Sequence, residues 1–125
     1  MSPSADDLVD RSRRRIQRVA PEELAGVVAA GGLVVDIRPA GQRAEEGELP
    51  GALVVERNVL EWRLDPTGSH RLPEVTDLTR PVVVVCSEGY ASSLAAESLV
   101  DLGYRSAGDL VGGYRAWSAW HAAQG

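Results

Sequence analysis

The sequence contains no lysine and a single cysteine, and these absences exclude several chemistries. All thirteen basic residues are arginine, so the chain offers neither a lysine Schiff base nor the lysine of a phosphate-binding loop. Cys86 has no partner for an internal disulfide. Near the N-terminus, Asp6, Asp7 and Asp10 stand where a secretory signal needs an apolar core. We therefore expect a cytoplasmic protein.

Long apolar runs are missing as well. The longest purely apolar run, residues 82–86, is far shorter than the ~20 residues that a membrane-spanning helix needs. The formal net charge of −5 creates a field that repels nucleic-acid phosphates and anionic lipid headgroups. We expect neither a nucleic-acid partner nor a membrane partner.

The composition is that of one globular domain. The chain has 125 residues, of which 44% are hydrophobic and 25% are charged. Residues 1–15 combine acidic residues with an arginine cluster and hold too few apolar positions to pack a face, which predicts a flexible or short helical N-terminal arm. Residues 16–125 are predicted to form the single folded domain.

From residue 16 onward, short β-branched runs alternate with helical stretches bounded by Gly or Pro, which is the pattern of an α/β fold. Four consecutive valines at 82–85 show no polar alternation, so both faces of this strand should be buried at the centre of the sheet. Helices are predicted after Pro21, near 58–62, from about Ser92 to Leu102, and from Tyr114 onward. Strands are predicted at 16–19, 33–37, 51–55, 82–85 and 107–111.

Cys86 follows the central strand, and the residues up to Ala91 connect it to a helix that begins near Ser92. In open α/β sheets, ligands collect beyond the carboxyl ends of the strands, where helix N-termini present unpaired N–H groups. Such donors stabilise a negatively charged sulfur atom. Most free cysteines are small buried hydrophobic residues, but the polar residues and the glycine after Cys86 favour a reactive role.

Four short segments of the chain, taken together and in their order along the chain, resemble the rhodanese-like sulfurtransferases over roughly residues 16–122. The resemblance implies a parallel five-stranded sheet with helices on both faces. It also implies sulfane-sulfur transfer through a persulfide on Cys86 to a nucleophilic acceptor, a thiol or cyanide, with no metal and no cofactor. The segments are Asp36-Ile37-Arg38, residues 47–52 (GELPGA), residues 86–91 (CSEGYA) and residues 112–117 (GGYRAW).

Within the loop, the backbone amides from Ser87 to Ser92 are expected to converge on a persulfide anion, and Gly89 permits the turn that this requires. Ser87, Ser92 and Ser93 are candidate hydroxyl donors to the sulfur. Ser92 is equally a candidate N-cap of the following helix. Tyr90 either forms a wall of the pocket or packs outward against a partner.

Three residues outside the loop are supporting candidates. Asp36 and Arg38 are interpreted as scaffold, because a carboxylate and a guanidinium at a strand end fix a loop through paired hydrogen bonds. Family members place a second arginine several residues later, where this chain has Gln42 and Arg43, so Arg43 is the third candidate. No spacing of cysteine, histidine and carboxylates forms a metal-ligand set.

Two loop residues depart from the pattern of the thiosulfate-using family members. Glu88 stands where those members tend to carry a basic residue, and a carboxylate beside the sulfur repels a dianion. Ala91 stands where many small members have arginine. We therefore expect thiosulfate to be a poor donor, and a small-molecule persulfide or a protein persulfide partner to suit the site better.

Other functions compete with sulfur transfer. A non-catalytic binding module or redox sensor would keep the same fold, although the presence of Cys86 favours the enzyme. A phosphatase or arsenate reductase of the Cys-x5-Arg type is disfavoured, because Ser92 stands where its arginine should be.

Overall fold

The computed structural model describes residues 2–125. Five parallel strands form one sheet in the spatial order β1-β5-β4-β2-β3. This confirms the parallel five-stranded sheet with helices that the resemblance implies. The strands are β1 (Gln17–Val19), β2 (Leu33–Asp36), β3 (Leu53–Val54), β4 (Val82–Val85) and β5 (Ala107–Leu110). The helices are α1 (Ala5–Arg13), α2 (Leu24–Ala29), α3 (Ala40–Glu46), α4 (Leu60–Arg63), α5 (Ala91–Leu102) and α6 (Gly113–Ala123), and short 3-10 turns at Pro21–Glu23 and Arg57–Val59 precede α2 and α4.

The central strand β4 separates two hydrophobic layers. Val82 and Val84 belong to the layer that contains Leu99 of α5. Val83 and Val85 belong to the other layer, which contains residues of α2 and α6. All four valines are buried, as their unbroken β-branched run predicts for a strand covered on both faces.

The strand order places the candidate site. β2 and β4 are neighbours, and the chain leaves them in opposite directions, from β2 toward β3 and from β4 toward β5. Such a switch point opens a crevice at the carboxyl ends of the two strands. Arg38 follows β2 and Cys86 follows β4, so the two segments that carry these residues meet at this crevice.

Helix α1 packs against α5. A capping box begins the helix: the N–H of Asp7 donates to Ser4 Oγ at 3.0 Å, and the N–H of Ser4 donates to Asp7 Oδ2 at 2.9 Å. Val9 and Ser12 are its buried residues. Of the two alternatives expected for residues 1–15, the structure has the short helix. It packs despite its few apolar positions, because one buried valine and a hydrogen-bonded serine anchor it to α5.

Several other boundaries differ from the sequence prediction. Helix α3 was not predicted, because its seven residues carry no apolar face and none of them is buried. Strand β3 has two residues instead of the five expected at 51–55, and strand β5 ends at Leu110. No helix within residues 2–125 is long and apolar enough to cross a membrane.

The close approach of β1 to β5 at Gly108 gives a stability prediction. A Cβ atom on Gly108 would overlap the backbone carbonyl oxygen of Gln17, so the two strands would have to separate. We expect Gly108→Ala to lower the free energy of unfolding by about 2 kcal/mol or more in urea denaturation.

Gly26 in α2 is the matched control, because a Cβ there meets nothing within 4 Å. Gly26→Ala should raise the free energy of unfolding by about 0.5 kcal/mol, because alanine is the better helix former. Equal effects of the two substitutions would contradict the close strand contact.

Candidate active site

Cys86 is the first residue after β4, and its sulfur accepts two backbone hydrogen bonds. The N–H of Gly89 lies 3.1 Å from Sγ, and the N–H of Ser92 lies 3.4 Å from it. Because α5 begins at Ala91, the Ser92 amide belongs to the first turn of a twelve-residue helix. Cys86 is buried, with 8% of its surface exposed. These donors stabilise a negatively charged sulfur atom.

Two glycines after β5 let the chain pass close beneath the loop. A Cβ on Gly113 would lie 2.5 Å from the carbonyl oxygen of Cys86, and a Cβ on Gly89 would lie 2.9 Å from the nitrogen of Gly112. Both Gly112 and Gly113 have positive φ, 74° and 66°. The next residue, Tyr114, donates its N–H to the Cys86 carbonyl at 2.8 Å. The absence of side chains at 112 and 113 therefore allows the backbone after β5 to lie against the backbone of the Cys86 loop.

The carbonyl oxygen of Gly89 accepts hydrogen bonds from two arginines. Arg13 Nη2 on α1 lies 2.7 Å away, and Arg18 Nη2 on β1 lies 3.2 Å away. Gly89 has φ 87°, a conformation that glycine adopts without strain. Two arginine side chains therefore fix the carbonyl group of Gly89, whose N–H is directed at the sulfur.

Asp109 of β5 connects Arg18 to α5. Its side chain is fully buried and accepts hydrogen bonds from Ser92 Oγ at 2.7 Å, Ser93 Oγ at 2.8 Å and Arg18 Nε at 3.0 Å. A buried carboxylate must be paired and fully hydrogen-bonded to persist, so these contacts fix the first turn of α5. An acidic residue inside a predicted buried strand was the sequence signal that could have revealed this site.

The serine hydroxyls do not bind the sulfur, which corrects that part of the sequence prediction. Ser92 and Ser93 donate to Asp109, while Ser87 Oγ lies 2.8 Å from Gln42 Oε1 and 2.9 Å from an oxygen of Glu46. Carboxylate and amide oxygens are stronger acceptors than a sulfur atom, which explains why the hydroxyls bind them. Nor is Ser92 the N-cap of α5, since Tyr90 occupies that position.

Asp36 and Arg38 form a buried pair at the end of β2. Arg38 Nη2 lies 2.7 Å from Asp36 Oδ2, and the Arg38 backbone N–H donates to Asp36 Oδ1 at 3.0 Å. The Tyr114 ring centroid lies 4.0 Å from the guanidinium carbon. Burial acts to lower the pKa of Arg38, but the hydrogen bonds that Arg38 donates to Asp36 and Glu46, together with their negative charges, outweigh it and hold the pKa above its ordinary value. The geometry is that of a scaffold.

Glu46, at the end of α3, joins three parts of the site. It accepts hydrogen bonds from Arg38 Nη1 at 3.2 Å, Arg115 Nε at 2.9 Å and Ser87 Oγ at 2.9 Å. Burial acts to raise the pKa of Glu46, but these hydrogen bonds prevail and hold the pKa below its usual value. Sequence reasoning missed Glu46 because it also missed α3.

The remaining candidates lie around this framework. Arg43 contacts the Arg38 carbonyl at 3.4 Å and Glu48 Oε1 at 3.3 Å. Glu88 is mostly exposed, with Oε1 3.7 Å from Arg115 Nη1. Three of the candidate residues in the loop have exposed side chains: Glu88, Tyr90 and Ala91.

Tyr90 is 56% exposed, and its ring centroid lies 5.4 Å from the guanidinium carbon of Arg13. Of the two orientations considered for this side chain, the structure has the outward one. Within residues 2–125, no cluster of three or more histidine, cysteine or acidic side chains is arranged to hold a metal ion.

A cysteine at the end of a central parallel strand, with backbone N–H groups directed at its sulfur, is the arrangement of a nucleophile in an anion-binding loop. The sequence model of the rhodanese-like domain matches residues 20–119. The thiosulfate sulfurtransferase GlpE of Stutzerimonas stutzeri is 30% identical over 104 residues, covering 81% of this chain and 84% of that protein. The chain therefore belongs to the rhodanese-like domain family.

Solved structures similar to this chain include a human protein and a bacterial protein. A human single-domain sulfurtransferase has a TM-score of 0.68 at 28% identity, over 82% of this chain and 95% of that one. A Rhodopseudomonas palustris protein of unknown function, described as a possible tyrosine phosphatase, has a TM-score of 0.85 at 23% identity, over 97% of this chain and 93% of that one. The second likeness shows the fold alone, and it extends into the segment before residue 20.

The position of Glu46 gives a prediction for the pH dependence of stability. The pKa of Glu46 in the folded protein lies below the ordinary value of 4.5. Its negative charge therefore stabilises the fold at pH values above 4.5, and this contribution is lost as the pH falls through the lower folded-state pKa. We expect Glu46→Gln to lower the free energy of unfolding by about 1.5 kcal/mol at neutral pH. The difference from wild type should shrink below about pH 4.5 in urea denaturation.

Its neighbour Glu45 is exposed and serves as the control. Glu45→Gln should show little effect at either pH. A Glu46→Gln effect that stays constant down to about pH 3 would argue against a contribution from the charge.

Proposed function

We propose that this protein is a sulfurtransferase that carries sulfane sulfur as a persulfide on Cys86. The observation that carries the proposal is the pair of N–H groups, from Gly89 and Ser92, directed at Sγ. A persulfide anion needs donors that hold its charge without consuming it, and backbone amides meet that need. The sulfurtransferase names of the relatives support the same activity.

The reaction balances without an oxidant or a cofactor. In the first step the Cys86 thiolate attacks the outer sulfur of the donor, the donor S–S bond breaks, and its electron pair leaves with sulfite or a thiolate. In the second step cyanide or a thiolate attacks the outer sulfur of the persulfide. The Cys86 Sγ–S bond then breaks and the thiolate is restored, held by the same amides.

We infer that a persulfide, on a small molecule or on a protein, is a better donor than thiosulfate. Glu88 places a carboxylate on the outer side of the loop, and its ion pair with Arg115 at 3.7 Å is exposed and therefore weak. A dianion approaching the loop is repelled by this charge more than a singly charged persulfide is. The carboxylate selects against thiosulfate without touching the sulfur.

The same loop argues against phosphatase chemistry. An enzyme of the Cys-x5-Arg type needs a guanidinium at the position of Ser92 to stabilise a phosphoryl group. In this chain the Ser92 hydroxyl is engaged with Asp109 at 2.7 Å. A loop that faces its sulfur with amides alone suits one extra sulfur atom better than a phosphoryl dianion.

Sulfur uptake is tested by intact-mass measurement after exposure to thiosulfate and, separately, to glutathione persulfide. We expect wild type to gain the mass of one sulfur atom, to gain it more completely from the persulfide, and to lose it to cyanide as thiocyanate. Cys86→Ser should gain nothing, because it removes the only cysteine of the chain.

A protein that gains no sulfur from either donor, while Cys86 remains open to alkylation, would refute the proposal and point to a binding or redox-sensing module. An adduct that persists in Cys86→Ser would place the sulfur elsewhere. The urea midpoint of Cys86→Ser serves as the check on folding.

Donor selection is tested by reversing one charge. Glu88→Lys should lower the KM for thiosulfate several-fold, to a degree that decreases with added salt, and should change the KM for glutathione persulfide less. The control is Glu74→Lys, which makes the same charge change at an exposed position. The Glu74 carbonyl accepts from Arg80, which precedes β4, so this control lies at the opposite end of that strand from Cys86. An unchanged thiosulfate KM in Glu88→Lys would remove the electrostatic basis of donor selection.

A further inference from the structure

We infer that Arg13 of α1 is a positioning residue for the Cys86 loop. The inference rests on the proposed function and deepens it. The family model begins at residue 20, so α1 lies outside the part of the chain that the model describes. An added helix would then support the geometry that holds the persulfide.

The contacts of Arg13 span the loop and the start of α5. Its Nη2 donates to the Gly89 carbonyl at 2.7 Å, and its Nε donates to Ser93 Oγ at 3.0 Å. Gly89 donates its own N–H to Cys86 Sγ at 3.1 Å, and Ser93 follows Ser92, the second residue whose N–H faces the sulfur. One residue, Gly89, therefore separates Arg13 from the Cys86 sulfur on one side, and two residues, Ser93 and Ser92, separate them on the other.

Gly89 is the point in the loop where such support matters most. With φ 87° it occupies a conformation that glycine enters and leaves easily, so the direction of its N–H depends on what holds its carbonyl. Arg18 also contacts this carbonyl, at the longer distance of 3.2 Å, and is itself held by Asp109. Loss of Arg13 should therefore weaken the alignment of the Gly89 N–H without abolishing it.

Helix α1 is fixed well enough to present Arg13. Ser12 Oγ donates to Glu97 Oε1 on α5 at 2.9 Å, and Arg15 contacts Glu97 at 2.9 Å and Asp101 at 2.7 Å. These contacts lie on the next turns of α5, away from the loop. Arg15 therefore offers a matched control, because it secures the same segment without contacting the loop.

Direct binding of an anionic donor by Arg13 is the competing role, and kinetics separates the two. Arg13 donates to two neutral oxygens, the Gly89 carbonyl in the loop and Ser93 Oγ in α5. A residue that aligns the amide changes kcat, because the charge on the sulfur is stabilised less well during transfer. A residue that binds the donor changes KM.

The test compares Arg13→Gln, Arg13→Lys and Arg15→Gln in sulfur transfer from glutathione persulfide to cyanide. We expect Arg13→Gln to lower kcat roughly ten-fold and to change the donor KM less than about two-fold. Arg13→Lys should recover part of kcat, because its ammonium reaches one acceptor but lacks the planar fork that spans two. Arg15→Gln should keep the wild-type kcat.

Hydrogen exchange of the backbone amides, followed by NMR, is the second readout and does not depend on activity. Exchange of the Gly89 N–H should be faster in Arg13→Gln than in wild type, and unchanged in Arg15→Gln. If wild type takes up no sulfur, the proposed function fails, whereas this comparison still tests the positioning.

Three results would overturn the inference. They are an unchanged kcat with unchanged Gly89 exchange in Arg13→Gln, a rise in donor KM at constant kcat, and an equal loss of kcat in Arg15→Gln. If Arg13→Gln does not fold, the same comparison is made with Arg13→Lys, for which a wild-type kcat and wild-type exchange would overturn it.

Discussion

The buried carboxylate of Asp109 is the group on which the loop around Cys86 depends. A desolvated negative charge in the sheet is tolerated only when it is fully hydrogen-bonded, and its partners come from β1 and from the first turn of α5. Satisfying that charge therefore sets the position of Ser92, whose N–H faces the sulfur. The geometry of the site therefore depends on a residue of β5, outside the Cys86 loop.

The opposite side of the loop is held by a second charged group. Glu46 receives hydrogen bonds from Arg38, Arg115 and Ser87, and so links α3, α6 and the end of β2 to the loop. Between the two networks, the glycine pair at 112–113 leaves room for close backbone contact. Three different physical devices thus act on one short segment: a buried carboxylate, a shared ion pair and the absence of side chains.

The sequence was sufficient to predict what depends on local pattern. The four valines of β4, the cysteine after them and the Asp36–Arg38 pair follow from periodicity, position and resemblance, and the structure has them where they were expected. Helix α3 escaped prediction because it has no apolar face. The partners of the serine hydroxyls were not predicted because they lie far from the serines in the sequence. Arg13 and Gly89, which are hydrogen-bonded, are likewise 76 residues apart. Contacts of that kind leave no local signal.

The outward direction of Glu88, Tyr90 and Ala91 has a consequence for how such a site diverges. The sulfur is held by backbone N–H groups, which any residue supplies, while these three side chains meet the solvent. Exchanging them alters which molecules approach and leaves the anion cradle intact. Under the proposed function, recognition and reactivity are therefore separable in this loop: substitution of these exposed side chains would change the sulfur donor and leave the backbone N–H groups in place.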